Sequence, residues 1–146
     1  MERTFTITEF REYLEDKKNR TIKKQILGVI GSLTGGILTF NFLLDYAATT
    51  FNLREGMDLT FKQYCYIIVA SLIVWLASSF TVSNTTDNLG AIQRLMIKAF
   101  DGEIPEGITS PEDIDMYIEA VSQQLRYERQ ERSLIYANNM RRGYYY

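Results

Sequence analysis

Histidine is absent from this 146-residue chain, cysteine occurs once, as Cys65, and proline only twice. A lone cysteine excludes an internal disulfide framework and a cysteine-based zinc site. The lack of histidine removes the one side chain that ordinarily changes charge near neutral pH. Basic charge is not in excess either: 16 Lys and Arg stand against 18 Asp and Glu, a net charge of −2. A protein that binds nucleic acid by neutralising phosphates needs the opposite balance, so no nucleic-acid partner is expected. Charge of either sign is missing from two long stretches, residues 25–44 and 63–86. At about 1.5 Å per helical residue, each is long enough to cross a hydrocarbon core of roughly 30 Å.

Two buried helices of a soluble bundle would be the alternative to two membrane spans. Surface helices of such a bundle show a polar stripe every three or four residues, and neither stretch contains a charged one. The rest of the chain is also too polar to wrap two such helices in water. A cleaved signal peptide fits the first stretch poorly. It is preceded by 24 largely polar residues, is too long, and ends in the unsuitable cleavage context Asp45, Tyr46, Ala47.

The distribution of bases sets the expected orientation. Lys17, Lys18, Arg20, Lys23 and Lys24 precede the first stretch, whereas the connection at 45–62 has only Arg54 and Lys62. Lys and Arg resist translocation, which places both termini in the cytoplasm. Phe40, Phe42, Tyr46, Phe51, Phe61, Tyr64 and Tyr66 gather at the outer boundary, where aromatic rings favour the headgroup level. Trp75 falls near mid-span and is expected to pack on a neighbouring helix. Asp45, at the outer boundary, is expected to be hydrated.

Outside the spans, Thr6 and Glu9 match a capping box. Phe10, Tyr13 and Leu14 then share one face of a short amphipathic helix, which fits equally a helix lying on the cytoplasmic headgroups and one packed against the C-terminal helix of the same or another subunit. Gly56 marks the hairpin turn. The second span is expected to end near Thr81 to Thr86, with Thr86 or Asp87 capping a further helix whose apolar face is Leu89, Ile92, Met96 and Phe100. Gly102, Pro105 and Gly107 break the chain. Ser110-Pro111-Glu112-Asp113 then starts the last helix, with a capping hydroxyl, proline at the first position and acids near the helix N-terminus. That helix is expected to run through Tyr136, and the tail of three tyrosines gives no structural signal.

Chemistry is sparsely represented. Glu112, Asp113 and Asp115 sit where a helix start favours acids, so they read as capping residues and not as a metal cluster. Cys65 reads as a packed residue. No catalytic residue, cofactor or metal site is expected, and the chain is not expected to be an enzyme. The small residues of the first span are more telling. Gly28, Ser32 and Gly36 recur every four residues, and Gly31 with Gly35 forms a second pair; such residues let helix backbones approach closely in lipid. These five are the expected helix–helix contact, with Ser71, Ser78 and Ser79 as a similar face on the second span. Ile114, Ile118, Val121 and Leu125 form the stripe expected to dock a partner, another protomer or the chain's own residues 89–100.

The expected fold is all-α: a two-pass transmembrane helical hairpin with a cytoplasmic helical C-terminal extension. Its parts are a cytoplasmic amphipathic segment at 1–24, a first transmembrane helix at 25–51, a short outer turn at 52–60, a second transmembrane helix at 61–84 and a cytoplasmic helical region at 85–146. Its expected partners are the lipid bilayer and other membrane subunits or copies of itself. Hairpins of this kind occur in small channels, phage holins and accessory subunits of larger complexes. An assembly or accessory subunit is the first expectation, and a homo-oligomeric pore of channel or holin type is the alternative.

Overall fold

The computed structural model describes residues 5–51 and 59–143. Most of the expected outer turn, with Arg54 and Gly56, and the terminal Tyr144 to Tyr146 lie outside the described residues. The described chain is all-helical, with three helices and no strand: α1 (Ile7–Thr50), α2 (Phe61–Phe100) and α3 (Pro111–Gly143). Two of them, α1 and α2, are long and apolar enough to span a membrane.

Each helix starts on a side-chain cap. At α1, the Thr6 backbone N–H donates to Glu9 at 3.0 Å and the Glu9 N–H returns to the Thr6 hydroxyl at 3.3 Å. Thr60 and Gln63 repeat the arrangement before α2. At α3 the Asp113 carboxylate accepts from the backbone N–H groups of both Thr109 and Ser110, satisfying donors that a helix start leaves open. These bonds to the charged form hold the Asp113 carboxyl below its ordinary range; those from Thr109 contribute most.

Helix α2 ends in a Schellman motif. The Glu103 N–H reaches the Lys98 carbonyl at 3.0 Å and the Gly102 N–H reaches the Ala99 carbonyl at 3.2 Å. Gly102 (φ 79°) supplies the left-handed backbone that this stop requires.

Two expected boundaries are replaced by continuous helix. The N-terminal amphipathic segment and the first apolar stretch form one 44-residue helix, because no glycine or proline interrupts residues 7–27. Helix α2 likewise runs through the expected stop at Thr86 and Asp87 to Phe100. The Asp87 carboxylate that was expected to cap a new helix is instead bound by Arg129. Helix α3 extends beyond Tyr136 to Gly143.

The chain divides into two compact units, one of Met1–Ile22 with Asn84–Tyr146 and one of Lys23–Ser83. They are built on opposite principles. The first, a three-helix unit, has an apolar core: Phe10 and Leu14 of α1, Ala91, Ile92, Leu95 and Ala99 of α2, Ile114 and Ile118 of α3, and Ile108 from the connection. In the second, a two-helix unit, the buried residues are Gly28, Gly35, Thr39, Asp45, Tyr64 and Ser71. Among the described residues no aliphatic side chain of this unit is buried, and most of its leucines, isoleucines and phenylalanines are exposed.

Candidate functional site

The seam of the two-helix unit is formed by the small residues of α1 lying against α2. A Cβ built on Gly35 would stand 2.7 Å from the Trp75 backbone nitrogen and 3.0 Å from the Ser71 carbonyl oxygen. One on Gly28 would meet Val82 at 2.9 Å, and one on Gly31 would meet the Ser78 hydroxyl at 2.4 Å. These spacings are too short for a real side chain. Glycine is therefore what allows the backbones to meet, most stringently at Gly35, where the obstacle is main chain. Gly36 differs: its added Cβ would touch the Trp75 ring at an ordinary 3.5 Å.

Hydroxyls close the same seam. Ser32 and Ser79 are 2.9 Å apart. Ser71 donates to the Ile68 carbonyl at 3.0 Å. Thr39 Oγ1 lies 2.8 Å from the Gly35 carbonyl and 2.9 Å from Ser71 Oγ, its single proton serving one or the other. At the end near the connection, Tyr64 donates to Asp45 at 2.5 Å. Asp45 is 5% exposed, contrary to the expected hydrated position, because Tyr64 covers it within a cluster of Phe42, Tyr46 and Phe61 rings. Thr34 and Asn41, by contrast, face outward on α1.

The α3 stripe is already occupied within the three-helix unit. Ile114 and Ile118 are buried in the core, Val121 packs at its edge, and Leu125 Cδ1 would lie 3.1 Å from a Cβ on Gly90. These four residues thus lie on the chain's own helices, so that of the three occupants expected for the stripe it is the chain's own residues 89–100, with α1, that cover it. From residue 129 to 140, however, every residue is exposed, including Leu134, Ile135, Tyr136 and Met140.

Polar pairs fasten this unit around its core. Arg11 donates twice to the Ala99 carbonyl, at 2.9 and 2.7 Å, at the end of α2. Tyr13 and Lys17, one turn apart on α1, both donate to Asp115 Oδ1 at 2.8 Å. Burial raises the Tyr13 phenol to about 12, helped by the hydrogen bond to Asp115 and by that residue's charge. Partial burial pushes the Asp115 carboxyl upward, but the bonds from Lys17 and Tyr13 outweigh it and the net displacement is downward. Asp87 is 1% exposed and is bound by Arg129, with Arg126 Nε 3.6 Å from its other oxygen.

None of these long-range pairs was anticipated from the residues alone. Only Asp45 with Tyr64 carried a usable signal, since the two are nearly equidistant from the middle of the hairpin connection.

A polar cleft of about 410 Å³ is lined by Lys17, Asn84, Asn88, Asp115, Glu119 and Arg126, among others. Two of its charges, Lys17 and Asp115, already bond each other. Among the described residues no three His, Cys, Asp or Glu side chains gather as a metal site would need. Glu112, Asp113 and Asp115 are dispersed into a helix cap and an inter-helix bond. The geometry as a whole joins helices. No family model matches the chain, and no similar curated protein or solved structure is found for it.

Proposed function

We propose that this chain is a two-pass membrane protein with both termini in the cytoplasm, acting as a non-enzymatic assembly or accessory subunit of a larger membrane complex. The observation that carries the reading is the inverted burial of the two-helix unit. Leu27 is 69% exposed, Leu33 61%, Phe40 63%, Ile73 61% and Phe80 66%. Each such side chain left in water forgoes about 1.5–3 kcal/mol. Over a dozen or more residues the loss exceeds the roughly 5–15 kcal/mol that holds a domain folded. Hydrocarbon removes that cost, whereas a soluble bundle would bury these faces. The five bases before the first apolar stretch support the cytoplasmic placement of the N-terminus, and an even number of spans returns the C-terminus to the same side.

The choice of a subunit over a pore rests on the hydroxyls. Ser32, Thr39, Ser71 and Ser79 bond to one another inside the hairpin, leaving Ile, Leu, Val and Phe to dominate its outer surface. A pore lined by this hairpin would need more polar groups pointing away from the seam than Thr34 and Asn41 of α1 supply. The exposed part of α3 at 129–140, with Leu134, Ile135 and Met140, is the surface left for a protein partner.

Extraction from the native membrane in mild detergent, with identification of the chains that travel with the protein, tests this. Different chains in fixed ratio support a subunit. A closed ring of identical copies that conducts ions would overturn it in favour of the pore.

A further inference from the structure

Charge along α1 changes sign after Asp16. Glu9, Glu12, Glu15 and Asp16, with Arg11 among them, are followed by Lys17, Lys18, Arg20, Lys23 and Lys24, and no acid follows until Asp45. The structure separates these five bases into two groups. Lys17 is held by Asp115 at 2.8 Å and Arg20 by Asp16 at 2.7 Å. Lys18, Lys23 and Lys24 make no ion pair and no side-chain hydrogen bond among the described residues; Lys18 is half-buried, whereas Lys23 and Lys24 are exposed. The exposed free cations thus occupy the last turn of α1 before its apolar stretch. The cations farther out, Arg11 and Lys17, are engaged by the protein itself.

We infer that Lys23 and Lys24 form a binding site for anionic phospholipids of the cytoplasmic leaflet. The inference rests on the membrane reading above, which fixes the depth of these residues at the headgroup layer. Exposed ammonium groups with no protein carboxylate to pair with are complementary to a phosphate-bearing headgroup. Unpaired bases immediately cytoplasmic to a span attract acidic lipid with a preference of roughly five-fold for each that reaches the surface. An acidic protein partner would fit the charge equally, but the first apolar residues of α1, Ile26 and Leu27, are exposed beside the lysines. A lipid satisfies both at once, its phosphate on the ammonium groups and its acyl chains on the adjoining apolar surface.

Trp75, the single tryptophan, lies near mid-span and is 41% exposed, so it reports contact with lipids brominated at mid-chain. The full-length protein is reconstituted in phosphatidylcholine vesicles containing a small equal fraction of brominated phosphatidylcholine or brominated phosphatidylglycerol. At low salt the anionic lipid is expected to quench several-fold more effectively per molecule. The excess should vanish at about 1 M salt, where the screening length falls to roughly 3 Å. It should also vanish in the Lys23→Gln, Lys24→Gln variant.

Equal quenching by the two lipids in the native protein at low salt overturns the proposal while leaving the membrane reading intact. Quenching by neither overturns both. A preference that survives the double substitution overturns the assignment to these lysines. Loss of the preference in inorganic phosphate, but not in chloride of equal ionic strength, means that the lysines bind the free anion and overturns the lipid assignment. If the variant does not reconstitute, the salt series on the native protein decides the question alone.

Discussion

Asp87 on α2 is buried beneath the Arg129 guanidinium of α3, an ion pair 42 positions apart in the chain. The pair is lopsided: the carboxylate is sealed from water, whereas Arg129 and Arg126 keep 51% and 43% of their side-chain surface. Removing the arginine strands a buried charge; removing the acid merely returns half-exposed arginines to solvent. Arg129→Ala should therefore destabilise the three-helix unit by about 2–3 kcal/mol, and Asp87→Asn by only about 1 kcal/mol. Thermal unfolding followed by helicity in detergent measures both. The reverse order would mean that Asp87 is reached by water or held by other groups.

The seam of the two-helix unit ranks its own glycines. Gly35→Ala sets a methyl group against the main chain of α2 and should cost about 1–3 kcal/mol through overpacking. Gly31→Ala meets the Ser78 side chain, whose hydroxyl can rotate away and whose Cβ would lie 3.1 Å off, and no main chain of α2, so its cost should be smaller. Gly36→Ala gains ordinary contact with the Trp75 ring together with the better helix propensity of alanine, worth up to about 1 kcal/mol. Its stability should be unchanged or raised. Melting of the three variants beside an Ile37→Leu control checks the order, and equal behaviour of all four would mean that the backbones do not meet there.

The Tyr13–Asp115–Lys17 cluster links stability to pH at both extremes. With its pKa displaced downward, the Asp115 carboxylate contributes above the ordinary carboxylate range of about 4, and this is lost as pH falls through the lowered value. For Tyr13, raised from 10.0 to about 12, the contribution is full below pH 10.0 and is lost between 10.0 and about 12. Asp115→Asn should lower the melting temperature at pH 7, and the gap to the native protein should close as the pH is lowered below the carboxylate range. It should also bring the phenol titration of Tyr13 down toward 10.0. A gap that stays constant from pH 7 to strong acid would show that Asp115 acts by packing alone.

The buried and the exposed parts of α3 should respond differently. Ile118 is 3% exposed in the core, so Ile118→Asp buries an unpaired charge and should unfold the packing of α3. Leu134 lies on the exposed end, and Leu134→Asp should change stability by no more than about 0.5 kcal/mol. Hydrogen exchange along residues 111–140 separates the two. Full protection around Ile118 in the aspartate variant would contradict the core described here.

What the sequence made legible is local or periodic. The caps at Thr6 and Ser110 need only residues three apart. The helical character of both apolar stretches needs only composition, and the α3 stripe needs only its 3.6-residue period. What it hid depends on partners far along the chain. Asp87 has the chemistry of a helix cap, and nothing local reveals that Arg129 takes its carboxylate and lets α2 continue. Asp45 looks like a hydrated boundary residue until Tyr64 is folded over it. The apolar stripe of α3 left its partner open among three candidates because its cover, Phe10 and Leu14 with α2, comes from segments that periodicity cannot rank against an external partner.

The central claim, a hairpin crossing a membrane twice with both ends inside, is tested most directly by labelling single cysteines in a Cys65→Ala background. Asn52→Cys lies in the connection between the apolar stretches and Ser133→Cys on the exposed end of α3. In intact cells, an impermeant thiol reagent added outside should modify the first and not the second, and permeabilisation should expose the second. Labelling of Ser133→Cys alone in intact cells would contradict the orientation. Labelling of neither until the membrane is broken would contradict the crossing itself.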